Sequence, residues 1–308
     1  MKRDIGFLAL LTTGFLYGSF GIFVRVLGTE FSTFQQIFLR NFVGLIPIAA
    51  ILYFKKIHFD LAGVAPKYLA LYTLTFPLSI IFFTLSILHT KIPVTIFSLY
   101  AGSVLTTMIF GVLLFHEKIT TQKFFAMILI LVGLALFTLP FSWKSLNVGV
   151  LFGVLAGFGD GVTYTFKKYL GGKMQLLTLV GLELTSGALI SFLVILLVGV
   201  PFAATQFTVQ MIVVCLVFGS IAALLSYVSL VGFKNFDLNL GTMVTSSEII
   251  FAIFLAALFF HEFPTVLEFW GGISVGFAII IAQSNTGVLH VAKKLFGKNQ
   301  LAEDIVQE

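Results

Sequence analysis

The segment Leu113-Leu114-Phe115-His116-Glu117 closes a long apolar run, and nearly the same segment returns as Leu258-Phe259-Phe260-His261-Glu262. Upstream, five glycines recur with a constant shift of 143, so that Gly6, Gly14, Gly18, Gly28 and Gly44 return as Gly149, Gly157, Gly161, Gly171 and Gly187. The His-Glu pair returns with a shift of 145, which indicates an insertion of two residues between these landmarks. The chain therefore contains two copies of one unit.

Composition places this duplicated unit in a membrane. Hydrophobic residues make up 59% of the 308 residues and charged residues only 10%, whereas soluble domains average roughly 45–50% and about 25%. With about 20 residues needed for each membrane-spanning helix, about ten helices fit into the chain and no sizeable soluble domain fits beside them. The single cysteine, Cys215, excludes an intramolecular disulfide.

The apolar runs predict an all-α integral membrane protein with ten transmembrane helices. The runs are 6–27, 33–54, 68–88, 92–115, 123–141, 148–168, 175–199, 209–232, 239–260 and 266–284. Short loops join them, and we place the boundary between the two halves at residues 143 and 144. The sequence thus divides into a first repeat of five helices over 1–143, a second over 144–286, and a cytoplasmic tail over 287–308.

Lysines and arginines are distributed unevenly between alternate loops, which predicts the orientation. One side receives Arg25, Lys91 and Lys144. The other side receives fourteen basic residues: Lys2, Arg3, Lys55, Lys56, Lys67, Lys118, Lys123, Lys167, Lys168, Lys173, Lys234, Lys293, Lys294 and Lys298. Both termini are therefore predicted to be cytoplasmic, and the net charge of +5 reflects topology rather than binding to nucleic acid.

Five helices per copy is an odd number, so the second copy is predicted to enter the membrane upside down. In such inverted repeats, the substrate site lies near the middle of the membrane between the halves. The inversion also predicts that His116-Glu117 faces the cytoplasm and His261-Glu262 the opposite side. Two pairs separated by a bilayer cannot share a metal ion, so we expect them to cap the following helix and mark the membrane interface.

A five-helix unit with a Phe- and Leu-rich fourth helix closed by glutamate resembles the EamA domain of the drug/metabolite transporter superfamily. The resemblance covers about residues 6–285 and is carried by Ser247-Glu248-Ile249-Ile250-Phe251 leading to His261-Glu262, and by the equivalent stretch from Tyr100 to Glu117. The family often has Glu-Pro where this chain has Glu248-Ile249, so the resemblance does not imply that dipeptide's helix distortion here. It does imply a transporter of small organic solutes, with both termini cytoplasmic and an unspecified substrate.

Away from the ends of the predicted spans, four charged residues remain: Arg40, Asp160, Glu183 and Glu248. Each costs about 2.5–3.5 kcal/mol at a helix centre, and four together would cost about 10 kcal/mol, as much as the net stability of a whole protein. These side chains must therefore pair, face water or titrate.

Each charge has a functional and a structural interpretation. Asp160 either binds a substrate amine or carries a proton, or it makes a helix-packing hydrogen bond to a nearby Thr or Tyr. Glu248, in a polar patch with Ser247, is favoured as a cavity-lining residue. Glu183 lies nearer the cytoplasmic face, where water can reach it. Arg40 either holds a substrate carboxylate or extends outward to the interface, and the latter is favoured. Its difference in depth from Glu183 argues against direct contact.

Three tyrosines inside spans, Tyr17, Tyr100 and Tyr164, could contact a substrate in the same cavity, although core packing is the alternative for each. The repeat is least symmetric where Tyr17 replaces Asp160, Arg40 replaces Glu183, and Ser103 replaces Glu248. These unequal positions are the candidate substrate and coupling residues. We expect no catalytic residue, no metal and no cofactor.

The segment Gly157-Phe158-Gly159-Asp160 matches the pattern of intramembrane aspartyl proteases, but no second membrane aspartate exists to share a proton. Gly153, Gly157 and Gly161 fall on one helix face, so the motif is interpreted as a packing face. A passive channel is the other alternative, although the single dispersed charges lack a filter-like repeat.

We therefore predict a secondary transporter in the bacterial inner membrane, working by alternating access without ATP. Its predicted substrate is a small zwitterionic or cationic metabolite resembling an amino acid, with proton coupling as an option. The direction of transport and the oligomeric state stay open.

Overall fold

The computed structural model describes residues 2–57, 64–89, 92–138, 148–200, 208–261 and 263–283, and this part of the chain is entirely helical. Its eleven helices are α1 (Lys2–Leu27), α2 (Thr33–Phe54), α3 (Pro66–His89), α4 (Ile92–Phe115), α5 (Thr121–Thr138), α6 (Val148–Gly171), α7 (Leu176–Val198), α8 (Val209–Asn235), α9 (Leu238–Thr245), α10 (Glu248–Phe260) and α11 (Val266–Gln283). The predicted all-helical fold class is confirmed.

The ten predicted spans each coincide with helix, but the ninth is divided into α9 and α10. Among the described residues, eight segments are long and apolar enough to cross a membrane, with α9 and α10 counted together, which makes this a multi-pass integral membrane protein. The apolar parts of α5 and α11, Thr121–Leu136 and Phe269–Ile281, are shorter. The count of ten crossings stays a prediction, and so do the repeat boundary and the cytoplasmic tail, which lie outside the described residues.

The two repeats interlock rather than lying side by side. Helix α1 of the first repeat packs against α8, α9 and α10 of the second, and α6 of the second packs against α3 and α4 of the first. The helices α2 and α7, which are equivalent in the two repeats, pack against each other, and so do α5 and α11. This exchange of partners is the arrangement expected of two copies related by a pseudo-twofold axis.

Equivalent glycines allow these crossings. A Cβ built at Gly14 would overlap Ser247 Oγ at the α9–α10 junction, and one built at Gly157 would overlap the carbonyl oxygen of Leu99 on α4. A Cβ at Gly161 would lie 2.5 Å from Thr106 Cβ. Only a residue without a side chain permits such close approach of helices. The interpretation of the Gly-x-Gly-Asp segment as a packing face is confirmed.

Helix α1 connects the two ends of the molecule. Near its start, the guanidinium of Arg3 lies 5.4 Å from the ring centre of Phe236, and near its end that of Arg25 lies 4.2 Å from the ring of Phe260. A helix of 26 residues is about 39 Å long. We call these ends the Glu117 end, where Glu117 and Phe236 lie, and the Phe260 end.

The duplicated Phe-His-Glu blocks lie at these opposite ends, and their histidines have a backbone role. His116 and His261 have φ values of 53° and 55°, in the left-handed region that histidine tolerates better than most residues. Each follows the last residue of a helix, α4 or α10, and so ends it. The expectation that the pairs cap the following helix is wrong for these histidines, because they terminate the preceding one. Glu262 lies outside the described residues.

The break between α9 and α10 lies at Ser246 and Ser247, although Glu248 is followed by Ile249 and not by a proline. Ser247 N donates to Val244 O at 3.1 Å, three residues back, which tightens the turn. The hydroxyl oxygen of Tyr100 lies 3.2 Å from Thr245 O, beside this break. The equivalent helix of the first repeat, α4, is continuous past Ser103. The distortion is thus present in one repeat only.

Candidate functional site

A cavity of about 320 Å³ lies where the helices of the two repeats meet. It contains seven of the eight candidate site residues: Tyr17, Arg40, Tyr100, Asp160, Tyr164, Glu183 and Glu248. Ser247 is the exception, because it is buried against Gly14 and does not line the cavity. Helices from both repeats thus bring residues more than 200 positions apart in the sequence into one wall.

The cavity extends from the middle of the molecule toward the Phe260 end. Helix α3 runs antiparallel to α6, since Tyr68 contacts Tyr169 and Phe82 contacts Phe152. Its lining residues Ile80 and Phe83 therefore lie on the Phe260 side. Val24 on α1 and Ala252 on α10 line the same portion.

Asp160 lies on α6, where its carboxylate accepts a hydrogen bond from Ser79 Oγ at 2.7 Å and one from the Tyr164 hydroxyl at 3.4 Å. A helix-packing hydrogen bond is therefore present, but its partner on α3 is a serine rather than the Thr or Tyr considered from the sequence. The carboxylate nevertheless lines the cavity, and it has no basic partner within ion-pair distance in the described chain.

Glu248 is the first residue of α10, and the hydroxyl of Tyr100 donates to its carboxylate at 2.6 Å. Because the position follows the break in the helix, its carboxylate lies at a helix N-terminus, where the helix dipole favours negative charge. Like Asp160, it lines the cavity and lacks an ion-pair partner among the described residues.

Arg40 turns into the cavity rather than outward to the interface, so the favoured sequence interpretation is wrong. Its guanidinium lies 5.0 Å from the ring centre of Phe20 and 5.6 Å from that of Phe218. Two aromatic faces can hold a cation in an apolar setting. Within the part of the chain that the structure describes, no carboxylate pairs with this guanidinium.

Glu183 has no exposed surface on α7, so the expectation that water reaches it is wrong, and Lys167 neutralises it instead. Its Oε1 lies 2.9 Å from Nζ of Lys167 in an electrostatic contact without hydrogen-bond geometry. Its Oε2 accepts hydrogen bonds from the Tyr72 hydroxyl at 2.6 Å and from Ser226 Oγ at 2.9 Å. Although Glu183 lines the cavity, both of its oxygens are engaged by the protein.

Lys167 is the functional candidate that the sequence analysis missed, because its neighbour Lys168 made both look like residues of a cytoplasmic loop. Its side chain is fully buried, and Nζ donates to Ser229 Oγ at 2.8 Å. The spacing did contain a signal. Asp160, Tyr164 and Lys167 follow each other by four and three residues, which places them on one face of a helix.

At the Glu117 end, a network of charges joins both repeats. Glu117 accepts from Lys168 Nζ at 2.8 Å and lies 3.2 Å from Lys123 Nζ, which also contacts Asp237 at 2.6 Å. Glu117 further accepts from the backbone N–H of Leu238 at 2.8 Å, at the start of α9. Glu117 therefore caps a helix of the other repeat, whereas the sequence analysis expected it to cap the next helix in the chain.

These contacts change the acidity of both carboxyl groups. Burial alone would raise the pKa of Glu117, but the Lys168 charge, together with the hydrogen bonds to the carboxylate, outweighs it and holds this pKa at about 2. Burial and the adjacent Glu117 charge raise the pKa of Asp237 instead. The network is therefore strongest when Glu117 is ionised.

The lining as a whole suits a small molecule that carries both signs of charge. One guanidinium and two carboxylates of this lining have no ionic partner within the described parts of the chain, and tyrosine and phenylalanine rings form much of the wall between them. Among the described residues, no three His, Cys, Asp or Glu side chains are grouped closely enough to hold a metal ion.

The comparisons with known proteins agree with this architecture. The model of the EamA-like transporter family matches residues 4–139 and again residues 147–283. No curated protein matches the sequence significantly. One crystal structure of a protein superimposes with a TM-score of 0.75 at 15% identity, over 91% of this chain and 97% of its own, which shows a shared fold. Because the family model matches nearly the whole chain as two repeats, this protein belongs to the EamA-like transporter family.

Proposed function

We propose that this protein is a secondary transporter of a small zwitterionic, amino-acid-like metabolite. The observation that carries the proposal is the cavity, in which Arg40 faces the same space as Asp160 and Glu248 while none of the three has an ionic partner in the described chain. A buried charge without a partner is costly. A molecule with a carboxylate and an ammonium group supplies both missing partners.

In this proposal, the three charges have separate roles. The planar guanidinium of Arg40 binds the carboxylate of the cargo, a geometry that arginine matches with two parallel hydrogen bonds. Asp160 and Glu248 bind its ammonium group, and either carboxylate can also carry a coupled proton. The tyrosines Tyr17, Tyr100 and Tyr164 contact the rest of the cargo.

Transport requires two access states. In the present one the cavity extends toward the Phe260 end, and the Glu117 network closes the other end. With both termini cytoplasmic, as the distribution of lysines and arginines predicts, this is the outward-facing state. Opening to the cytoplasm then breaks the contacts of Glu117, and the inverted repeats exchange their packing.

Uptake by purified protein in liposomes tests the proposal. Vesicles are offered an equimolar pool of the twenty standard L-amino acids, and uptake is measured by mass spectrometry against vesicles without protein. We expect saturable uptake of one or more members by the wild type. We expect Arg40→Gln to reduce it at least about tenfold, because a hydrogen bond to a charged group contributes about 1.5–3 kcal/mol and each 1.4 kcal/mol corresponds to a factor of about ten.

Lys118→Gln is the matched control, since it also removes one positive charge, but from an exposed side chain away from the cavity. The proposal is wrong if the wild type takes up no member of the pool, or if Arg40→Gln transports as well as Lys118→Gln does. Uptake that rises linearly with concentration would instead indicate a passive channel.

A further inference from the structure

We propose that Lys167 determines which cargo the cavity accepts, because it occupies Glu183 and thereby leaves Arg40 free to bind the cargo's carboxylate. The inference rests on the proposed function and deepens it. Lys167 lies behind the cavity wall and does not line it. It is therefore a positioning residue, which acts on the cargo through Glu183 and Arg40.

The burial of Lys167 is the first observation. A lysine side chain with no exposed surface, buried between helices of a membrane protein, is expensive and needs a strong partner. Its ionic partner in the described chain is Glu183, at 2.9 Å. Asp160 and Tyr164 lie on the same helix face, Tyr72 reaches Glu183 from α3, and Ser226 and Ser229 face the pair from α8.

The second observation is the position of Arg40 relative to Glu183. They occupy equivalent positions of α2 and α7, which pack against each other. A Cβ built at Gly187 would lie 2.9 Å from Asn41 Cγ, which sets the register of these antiparallel helices. Glu183 is four residues before Gly187, and Arg40 is next to Asn41. The two therefore differ in depth by about five residues, or about 7.5 Å.

An extended arginine side chain spans an offset of this size. Both side chains line the same cavity, and Arg40 is the only basic residue in its described lining. Yet the two do not pair, because Lys167 already neutralises Glu183. Lys167 thus keeps the oppositely charged groups of α2 and α7 apart.

Removal of Lys167 changes this balance. Glu183 would then be a buried carboxylate without a counter-ion, which proteins avoid. The cation available to Glu183 in the cavity is Arg40, which would pair with Glu183 and no longer bind the carboxylate of the cargo. Asp160 and Glu248 would keep their affinity for an ammonium group. The site would therefore change from one for zwitterions to one for cations.

The experiment measures cargo preference rather than total activity. Liposomes containing wild-type protein, Lys167→Met, Glu183→Gln or the double variant are offered two pools, the twenty L-amino acids and the corresponding amino acid amides. An amide has nearly the shape of the acid but lacks its negative charge. Preference is the ratio of uptake of acids to uptake of amides, after subtraction of protein-free vesicles.

We expect Lys167→Met to lower the acid-to-amide ratio about tenfold, and the double variant to return it to within about twofold of the wild type. Glu183→Gln alone should keep the wild-type ratio, since Arg40 stays free. If Lys167 has only a structural role, all uptake falls together and the ratio is unchanged, which overturns the inference. A double variant that stays selective for amides overturns it too.

The same data separate this inference from the proposed function. If Arg40→Gln leaves the acid-to-amide ratio unchanged, then Arg40 does not bind a carboxylate and both ideas fail. If Arg40→Gln lowers the ratio and Lys167→Met does not, the proposed function stands and the role of Lys167 is wrong. If Lys167→Met does not fold, the double variant and Glu183→Gln still decide, because a ratio that falls in either one contradicts the inference.

Discussion

The two repeats of this protein share a backbone arrangement but differ sharply in charge. At four equivalent positions around the cavity, the first repeat has an uncharged residue or a cation where the second has a carboxylate or a lysine: Tyr17 and Asp160, Val24 and Lys167, Arg40 and Glu183, Ser103 and Glu248. The first repeat thus supplies the free guanidinium, and the second supplies the carboxylates. The duplication preserved the packing, while the charges around the site diverged.

The difference follows from what each kind of residue must satisfy. Gly14 and Gly157 are equivalent and lie where helices of opposite repeats touch, so a side chain on either would collide with backbone or a buried hydroxyl. Residues that line the cavity meet no such restriction. They can change one at a time, provided that each buried charge finds a partner in the protein or in the cargo.

The largest effect should come from breaking the shared packing. Gly157→Val would place a branched side chain against the backbone of α4, and we expect it to abolish the monodisperse folded protein in detergent. Gly14→Val should have the same result, because it affects the equivalent crossing. Size-exclusion chromatography and thermal unfolding provide the measurement.

Gly276→Val serves as the matched control, because a Cβ at Gly276 meets no atom within 4 Å of the described structure. We expect this variant to purify and unfold like the wild type. If Gly157→Val is as stable as the Gly276→Val control, then the close approach of the two repeats is not what holds them together.

A smaller effect is expected at the Glu117 end, where the repeats are joined by charge. Glu117→Gln removes the negative charge at the centre of this network, where the Glu117 side chain is only 8% exposed. Breaking such a pair should lower the free energy of unfolding by about 3 kcal/mol. The change should be visible in chemical unfolding of the purified protein, with Lys118→Gln as the exposed control.

The pH dependence gives a second test of the same contact. The pKa of Glu117 falls from 4.5 to about 2 in the folded protein. Its contribution to the free energy of unfolding is therefore complete above about pH 4.5 and disappears as the pH falls toward 2. The stability difference between wild type and Glu117→Gln should therefore be constant near neutral pH and shrink in acid. A difference that does not change between pH 5 and pH 2 would contradict the assignment.

The smallest effect should distinguish Asp160 from its counterpart Tyr17. Asp160→Asn removes a charge that we propose for the cargo's ammonium group, and we expect about tenfold slower uptake of the amino acid pool, equivalent to about 1.4 kcal/mol. Tyr17→Phe removes only a hydroxyl at the equivalent position and should change uptake less than about threefold, about 0.7 kcal/mol on the same scale. Equal losses in both variants would mean that the charge difference between the repeats has no role at this position.

Several features of the site could be predicted from sequence because they follow from spacing and hydropathy. Inside an apolar span, Asp160, Glu183 and Glu248 are conspicuous, and seven of the eight candidate residues do line one cavity. Lys167 could not be recognised in the same way, because a lysine near a helix end ordinarily reaches water. Its burial depends on the packing of α3, α7 and α8 over α6, which the spacing of residues within α6 does not reveal.

Arg40 shows the same limit. A basic residue near the end of a span can extend to the interface or turn inward, and in an isolated helix these two side-chain conformations differ little in free energy. In the folded protein the inward conformation is stabilised by Phe20 and Phe218, whose rings contact the guanidinium from two other helices. Likewise, Glu117 caps α9 rather than α5 because the interlocked repeats bring that helix start beside it.

The sequence by itself determined the membrane class, the helix positions apart from the break between α9 and α10, and the duplication, because hydropathy and repeat spacing are local properties of the chain. The family resemblance also followed from local motifs. Only the tertiary structure decided which charges pair, since the contact of Lys167 with Glu183 depends on how α6 and α7 pack and that of Lys168 with Glu117 joins the two repeats. The function of each charged side chain therefore depends on which partner the packing of the helices places beside it.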